Sequence, residues 1–512
     1  MHKHPVHAVI ATGTVEGFAR GGVRRWRSIP YARPPVGPLR FRAPQPAEPW
    51  PGVRHCHGFT NCSPQQRVYT MLAPGKYQPT SEDCLTLNVV APEVTGPDPL
   101  PVMVFIHGGG YILGSSATPL YDGAALARRG CVYVSVNYRL GALGCLDLSS
   151  LSTPDITIDS NLFLRDLVLA LRWVQQNIAA FGGDADNVTI FGESAGAHIV
   201  ATLLGVPAAA GLFTRAIAES PASGMVRSPA QSAEFASRFA GLLGARRSDA
   251  AYTLLRVSPA ELLAAQNRFV ADGARDMVGA FPLGPVFGDD VLPLDPLEAM
   301  RLGVAHPVPL IVGSNAEEGR LFTRFLRLLP TTEPMIDAVL SKTDAAVRDR
   351  ITAAYPGYPN RTACVQLGGD FAFNSAVWDI ADAHGAHAPT YVYRYDFAPR
   401  ALRWSGLGAT HATELFAVFD IYRSRLGPVL AAGAERRAAL RVSDQVQQHW
   451  QSFSRTGTPG DDWPTYTDTS RAVLVFDRKT RIELDPHPER RLAWQGFSLV
   501  GELGAPPACG GT

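Results

Sequence analysis

The stretch NVTIFGESAGAHIV, Asn187–Val200, constrains the fold more than any other part of the chain. Its first half, NVTIFG, is a β-branched apolar run that reads as a buried strand, and from Ala195 to about Leu204 alanines and aliphatics read as a helix. Between them Ser194 sits in a G-x-S-x-G pentapeptide. A strand that feeds a helix through so sharp a turn strains the turn residue, and Gly192 and Gly196 remove Cβ atoms that neighbouring chains would meet. The turn also puts Ser194 at a helix N-terminus, where free N–H groups and the dipole favour developing negative charge. Such a pentapeptide arises by chance about 0.2–0.3 times in a chain this rich in glycine. The rest of the pattern therefore has to separate a nucleophile from a helix-capping serine.

PVMVFIH (Pro101–His107) and CVYVSVNY (Cys131–Tyr138) are short apolar runs bounded by glycine, as buried strands of a parallel sheet are, and GAALARRG between them reads as a short helix. Leu167, Leu171, Val174 and Ile178 recur at helical spacing from Asp166 onward, and Gly182 with Gly183 ends that run as a C-cap pair. PLIVGSN (Pro309–Asn315) and TYVYRYDF (Thr390–Phe397) are further strands, with Ser232–Leu243 among the alanine-rich helical stretches between them. Strand and helix in alternation predict an α/β fold, a central mostly parallel sheet flanked by helices, with large helical insertions. No repeat or flexible linker divides the 512 residues, so they read as one domain, residues 1–512, with the Pro- and Arg-rich first hundred as decoration.

A net charge of +1 without a basic stripe excludes a nucleic-acid partner. Nowhere do 18 apolar residues run unbroken, and MHKHPVHAVIATGTVEG lacks the apolar core of a signal peptide, so no membrane association and a cytoplasmic location are expected. Four lysines among 47 basic residues fit an arginine-rich chain from a GC-rich bacterial genome. The seven cysteines (Cys56, Cys62, Cys84, Cys131, Cys145, Cys364, Cys509) show neither a CxxC pair nor a zinc spacing, and buried thiols are expected. His2, His4 and His7 read as a frayed tail, so no metal is expected, and no cofactor either.

A second element supplies what a serine nucleophile needs. In FIHGGGYILGSS the three glycines Gly108, Gly109 and Gly110 follow a strand, and their amides can approach a substrate with no side chain in the way. Together with the N–H of Ala195, such a loop makes an oxyanion hole. A phosphate loop is disfavoured, since neither G-K-[ST] nor a helix-opening G-x-G-x-x-G is present.

Read together, these segments resemble the type-B carboxylesterases, the α/β-hydrolase family that includes bacterial p-nitrobenzyl esterases, liver carboxylesterases and cholinesterases. The resemblance is carried in order by Gly17–Trp50, SEDCLTLNVVAP, HGGGYILGSS, NYRLGALG, LRWVQQNIAAFGGDADNVTIFGESAG, GLFTRAIAES, GPVFGDDVLPLDPLEAM, VGSNAEEG and THATELFAVF, over roughly residues 12–480. It implies a triad in the order serine, acid, histidine: Ser194, Glu318 in NAEEG with Glu317 as its neighbour, and His411 in THATEL. It also implies an oxyanion hole of Gly109, Gly110 and Ala195, and supporting roles for Gly108, Glu193, Ser220 and Glu414. Cys62 and Cys84 match the family's first disulfide pair, as a possible disulfide or as free thiols. His107 is expected to shape the glycine loop and His198 to face into packing. Ile199 stands where the family often has a second serine, and Pro221 where it has a glycine. Near Pro74 no aromatic occupies the place of the cholinesterase aromatic, so choline esters are not the expected substrate.

The implied activity is hydrolysis of a small-molecule carboxylic ester through an acyl-enzyme, with water as second substrate. The same triad could act instead on a carbamate, an amide, or a specialised toxin or polyester, and a non-catalytic binding or adhesion member of the fold is the rival of another class. Phe281, Leu283, Phe322, Phe371 and Phe373 are candidates for the pocket wall or for plain core.

Overall fold

The alternation read from the sequence closes into one large sheet in the computed structural model, which describes residues 4–94, 96–276, 281–325, 329–341 and 343–497. His2 and Cys509 lie outside the described residues. In chain order the strands of the sheet are β1 (His4–Ile10), β2 (Gly13–Ala19), β3 (Val23–Pro30), β4 (Val53–His55), β5 (Thr86–Pro92), β6 (Leu100–Ile106) and β7 (Val132–Val136). They continue with β8 (Gly183–Glu193), β9 (Arg215–Glu219), β10 (Leu310–Asn315), β11 (Thr390–Tyr395), β12 (Ala472–Phe476) and β13 (Arg481–Leu484). In space they run β1-β2-β3-β5-β7-β6-β8-β9-β10-β11-β12-β13, with β4 beside β2.

From β7 through β12 every pair in that order is parallel. The first hundred residues are therefore more than decoration, because β1, β2, β3 and β5 extend the parallel core as an antiparallel wing. The half-exposed faces of β1 and β3 hide them in a sequence scan for continuous apolar runs, and the buried β5 is interrupted by Thr86 and Asn88. His4 and His7 likewise belong to β1, not to a frayed tail, since the whole of β1 pairs with β2 from His4↔Ala19 to Ile10↔Gly13.

Side-chain alternation splits the core into two layers. Val102, Val104, Ile106, Val188, Ile190, Ala216, Ala218, Leu310 and Val312 face one side of the sheet, and Met103, Phe105, Phe191, Ile217, Ile311 and Tyr393 face the other. Helix α1 (Leu162–Asn177) buries Leu164, Leu167, Leu171 and Val174 on the first side, each contributing about 1.5–3 kcal/mol. It starts one turn before the predicted Asp166, because Asn161 in a left-handed conformation bonds Val286 through both ends of its amide. Its apolar run continues through a 3-10 turn to Phe181, and Gly182 at φ 88° ends it; Gly183 already belongs to β8. Helix α2 (Ala195–Leu203) leaves β8, and α3 (Pro229–Leu242) covers the predicted Ser232–Leu243 with a Ser228–Gln231 capping box. Helix α4 (Gly433–Thr456) packs Val442, Val446, Trp450 and Phe453 against the second face. The chain between β9 and β10 and between β10 and β11 is mostly helical, as the expected insertions are.

Candidate active site

β6, β8, β9 and β10 lie side by side in the sheet and end at Ile106, Glu193, Glu219 and Asn315. The residues just beyond those ends are Gly108–Gly110, Ser194, Ser220 and Glu318. Four chain-distant motifs are thus gathered at one edge by strand order alone.

Ser194 sits at φ 60° and ψ −124°, outside the regions open to an ordinary L-residue. Its N–H donates to the Glu219 carbonyl at 2.9 Å and its carbonyl accepts from His198 N at 2.9 Å, which fixes the turn between β8 and α2. The flanking glycines are required by close approach: a Cβ on Gly196 would lie 2.1 Å from the Ile106 carbonyl oxygen, and one on Gly192 2.5 Å from it. The glycine loop packs on the same turn, since a Cβ on Gly108 would sit 2.9 Å from Ser194 Cβ. Gly109 and Gly110 adopt φ 113° and 58°. Among the described residues the amides of Gly109, Gly110 and Ala195 have no hydrogen-bond acceptor, and Ser194 Oγ has no partner.

Glu318 and His411, 93 residues apart, meet with Glu318 Oε2 2.6 Å from His411 Nδ1. Glu318 Oε1 accepts from Ser220 Oγ at 2.6 Å, Asn315 N at 2.6 Å and Asn315 Nδ2 at 3.3 Å, so both oxygens are committed. The other edge of the ring, Nε2, lies 3.0 Å from Glu193 Oε1, on the residue just before Ser194. That contact is not aligned as a hydrogen bond, and Glu193 Oε1 stays unpartnered. Phe373 stacks on the imidazole at 4.2 Å between centroids, and Phe322 lies at 5.2 Å from the imidazole and 5.7 Å from Phe373, so the three rings form one aromatic cluster. Glu317, by contrast, faces outward, pairing with Arg320 at 2.6 Å and accepting from Ala409 N at 3.0 Å.

Three more carboxyl groups are buried around this pair. Burial, with the neighbouring Glu318, pushes Glu193 well above the usual carboxylate range. Glu414 is raised in the same way by burial and by Glu193 and Glu318, and it accepts from Asn315 Nδ2 at 2.5 Å. Glu219, raised by burial to about 8, accepts from Trp450 Nε1 at 2.7 Å while its other oxygen has no partner. Burial disfavours the ionised form of all three, because a carboxylate taken out of water loses its solvation.

The remaining sequence candidates fall as follows. His107 is buried, stacks on Tyr138 at 4.6 Å, contacts the Gly108 carbonyl at 2.9 Å, and is lowered by burial to about 4. His198 faces into packing, lowered by burial to about 3, with its Nδ1 2.6 Å from Tyr111 Oη. That contact ties α2 to the glycine loop. Ser220 takes a left-handed φ of 55° just before Pro221 and donates to Glu318. Phe322 and Phe373 line the histidine, and Phe281 approaches the Cβ position of Gly110 at 3.7 Å. Leu283 is fully buried in the main core, and Phe371 packs on Trp494, so both are core residues.

Of the two alternatives for Cys62 and Cys84, the structure has the free thiols. Burial raises both, Cys62 to about 12, and Cys62 Sγ spends its hydrogen on the Pro79 carbonyl at 3.6 Å. Asn315 was not foreseen. It opens the quoted NAEEG, but its bonds to Glu318 and Glu414 depend on how the turn after β10 folds back. Trp450 was hidden for a simpler reason: it lies 231 residues from the Glu219 it bonds.

Parallel strands with crossover helices and a strained serine turn at their carboxyl ends define an α/β-hydrolase fold. The family model described as "Carboxylesterase family" matches residues 5–494, and the chain belongs to that family. It is 36% identical to the para-nitrobenzyl esterase of Bacillus subtilis over 95% of this chain and 98% of that protein. It is 35% identical to the fumonisin B1 esterase of Sphingopyxis macrogoltabida over 89% of this chain and 83% of that one. Among solved structures a PNB esterase superposes with a TM-score of 0.85 at 34% identity, covering 95% of this chain and 99% of the other. The protein is a carboxylic ester hydrolase, acting on small-molecule esters with water as co-substrate. No helix among the described residues is long and apolar enough to cross a membrane.

Proposed function

We propose that the chain hydrolyses esters through a Ser194–His411–Glu318 triad, with Gly109, Gly110 and Ala195 as the oxyanion hole, in a single domain. The observation that carries this reading is the Glu318 Oε2–His411 Nδ1 contact of 2.6 Å, with the opposite ring edge turned to the Glu193–Ser194 turn. Glu318 holds the imidazole tautomer with Nε2 free to accept, His411 takes the Ser194 proton, and Ser194 Oγ attacks the ester carbonyl. The oxyanion forms within reach of three amides that have no acceptor of their own, at the positive end of α2. The imidazolium then protonates the leaving alcohol, and water repeats the sequence on the acyl-enzyme.

Gly108 keeps the loop against the elbow, Ser220 braces the back of Glu318, and Glu414 and Glu193 bound the site as buried carboxyl groups raised above the usual carboxylate range. Phe281, Phe322 and Phe373 give the acyl or alcohol group an aromatic surface, which favours aryl or other apolar esters. An organophosphate should label Ser194 stoichiometrically, and Ser194→Ala should abolish turnover of p-nitrophenyl acetate. A Ser194→Ala variant with near-parental turnover would refute the assignment.

A further inference from the structure

In the antiparallel wing, away from the ester site, three histidines converge on one carboxylate. His7 on β1 and Glu16 on β2 are direct cross-strand partners, and Glu16 and His55 on β4 are partners in the next pair. One row across three strands therefore presents His7, Glu16 and His55 on a common face. His57, two residues beyond His55, returns to the same face. Glu16 Oε1 lies 2.9 Å from His55 Nδ1 and 2.9 Å from His57 Nε2, and Glu16 Oε2 lies 3.1 Å from His7 Nε2. The ligand atoms of Glu16, His55 and His57 all fall within 4.8 Å of one another.

One negative charge is a poor reason to gather three imidazoles. A single protonated histidine neutralises Glu16, and a second or third would repel the first at this spacing. Exposed pairs of this kind also contribute little to stability. A dication satisfies all the groups at once. Zinc–nitrogen and zinc–oxygen bonds of about 2.0–2.1 Å put tetrahedral ligands about 3.4 Å apart, which the spacing here needs only small side-chain rotations to meet. Glu16 is largely sheltered, while His55 and His57 are about half exposed or more and free to turn. The Arg27 guanidinium lies over Phe18 and Phe59 and donates to the His57 carbonyl at 3.4 Å, which orients the His57 backbone.

We propose that Glu16, His55 and His57 bind one borderline transition dication of the Zn2+, Ni2+ or Cu2+ class. His7 holds the second oxygen of Glu16, and water completes the coordination. Imidazole donors select these ions over the hard cations Ca2+ and Mg2+. The bound ion joins β2 to β4 and lends its binding free energy to the outer wing.

Equilibrium dialysis of the full-length chain, stripped with EDTA, against zinc chloride tests this. One Zn2+ should be retained per chain at about 100 µM free ion or below, and Ca2+ should not be. The double variant His55→Ala/His57→Ala should lose at least about 100-fold in zinc affinity, and His7→Ala, which removes only a partner of the ligand, about 10-fold. A control, His387→Ala, should bind as the parent does. All variants should keep parental hydrolysis of a p-nitrophenyl ester, which shows that they fold. Zinc uptake unchanged in the double variant, no uptake by the parent at that concentration, or equal uptake of Ca2+ would each overturn the proposal.

Discussion

Replacing Glu219 by glutamine isolates the electrostatics of the site edge. Glu219 is wholly buried at the end of β9, accepts one bond from Trp450, and leaves its other oxygen unpartnered. Burial lifts it from an ordinary 4.5 to about 8. Between those values the unfolded chain carries this group ionised while the folded chain carries it protonated, so folding takes up a proton. Stability from this group is full below about pH 4.5 and is lost as pH rises through about 8, at about 1.4 kcal/mol per pH unit, or about 5 kcal/mol across the window. Glutamine keeps the acceptor for Trp450, mimics the neutral acid and does not titrate. The stability gap between Glu219→Gln and parent should therefore widen by about 1.4 kcal/mol for each unit from pH 5 to 8 and then level off. Urea unfolding followed by tryptophan fluorescence at successive pH values measures it. Parallel curves with a constant offset across that range would refute the reasoning.

Ser220→Ala removes the hydroxyl that braces Glu318 Oε1 at 2.6 Å. Loss of a hydrogen bond to a charged acceptor predicts about a 10- to 100-fold fall in kcat with KM nearly unchanged, and steady-state kinetics with an unchanged kcat would count against the brace. Gly196→Ala drives a Cβ against the Ile106 carbonyl, so it should cost about 3 kcal/mol in urea unfolding or prevent folding altogether. Alkylation of the denatured chain without reductant should label Cys62 and Cys84 in full; an adduct count that rises only after reduction would restore the disulfide.

Much of the site could be read from short-range pattern. Ser194, the glycine loop, Glu318 and His411 sit in motifs whose residues need one another within a few positions, and the parallel strands announce themselves as continuous apolar runs. What stayed hidden depends on long-range pairing. The wing strands alternate too weakly to stand out, Trp450 finds Glu219 only once α4 packs on the sheet, and the His7–Glu16–His55 row exists only in one strand register. The thiols of Cys62 and Cys84 show the opposite case, where a family pattern suggested a bond that the structure does not form.

The side-by-side ending of β6, β8, β9 and β10 separates two design variables. Ser194, Glu318 and the amides of the glycine loop, the proposed nucleophile, acid and oxyanion donors, are indexed to the sheet, and sliding one of these strands by a single residue displaces its group by about 3.3 Å. Residues 221–309 hold none of the proposed triad, so the parts of that insertion outside the core, unlike the buried Leu283 and the Val286 that bonds Asn161, can be exchanged while those groups keep their spacing. New substrate scope in this chain is therefore a matter of loop grafting between fixed posts, and changes to the sheet will cost chemistry before they change selectivity.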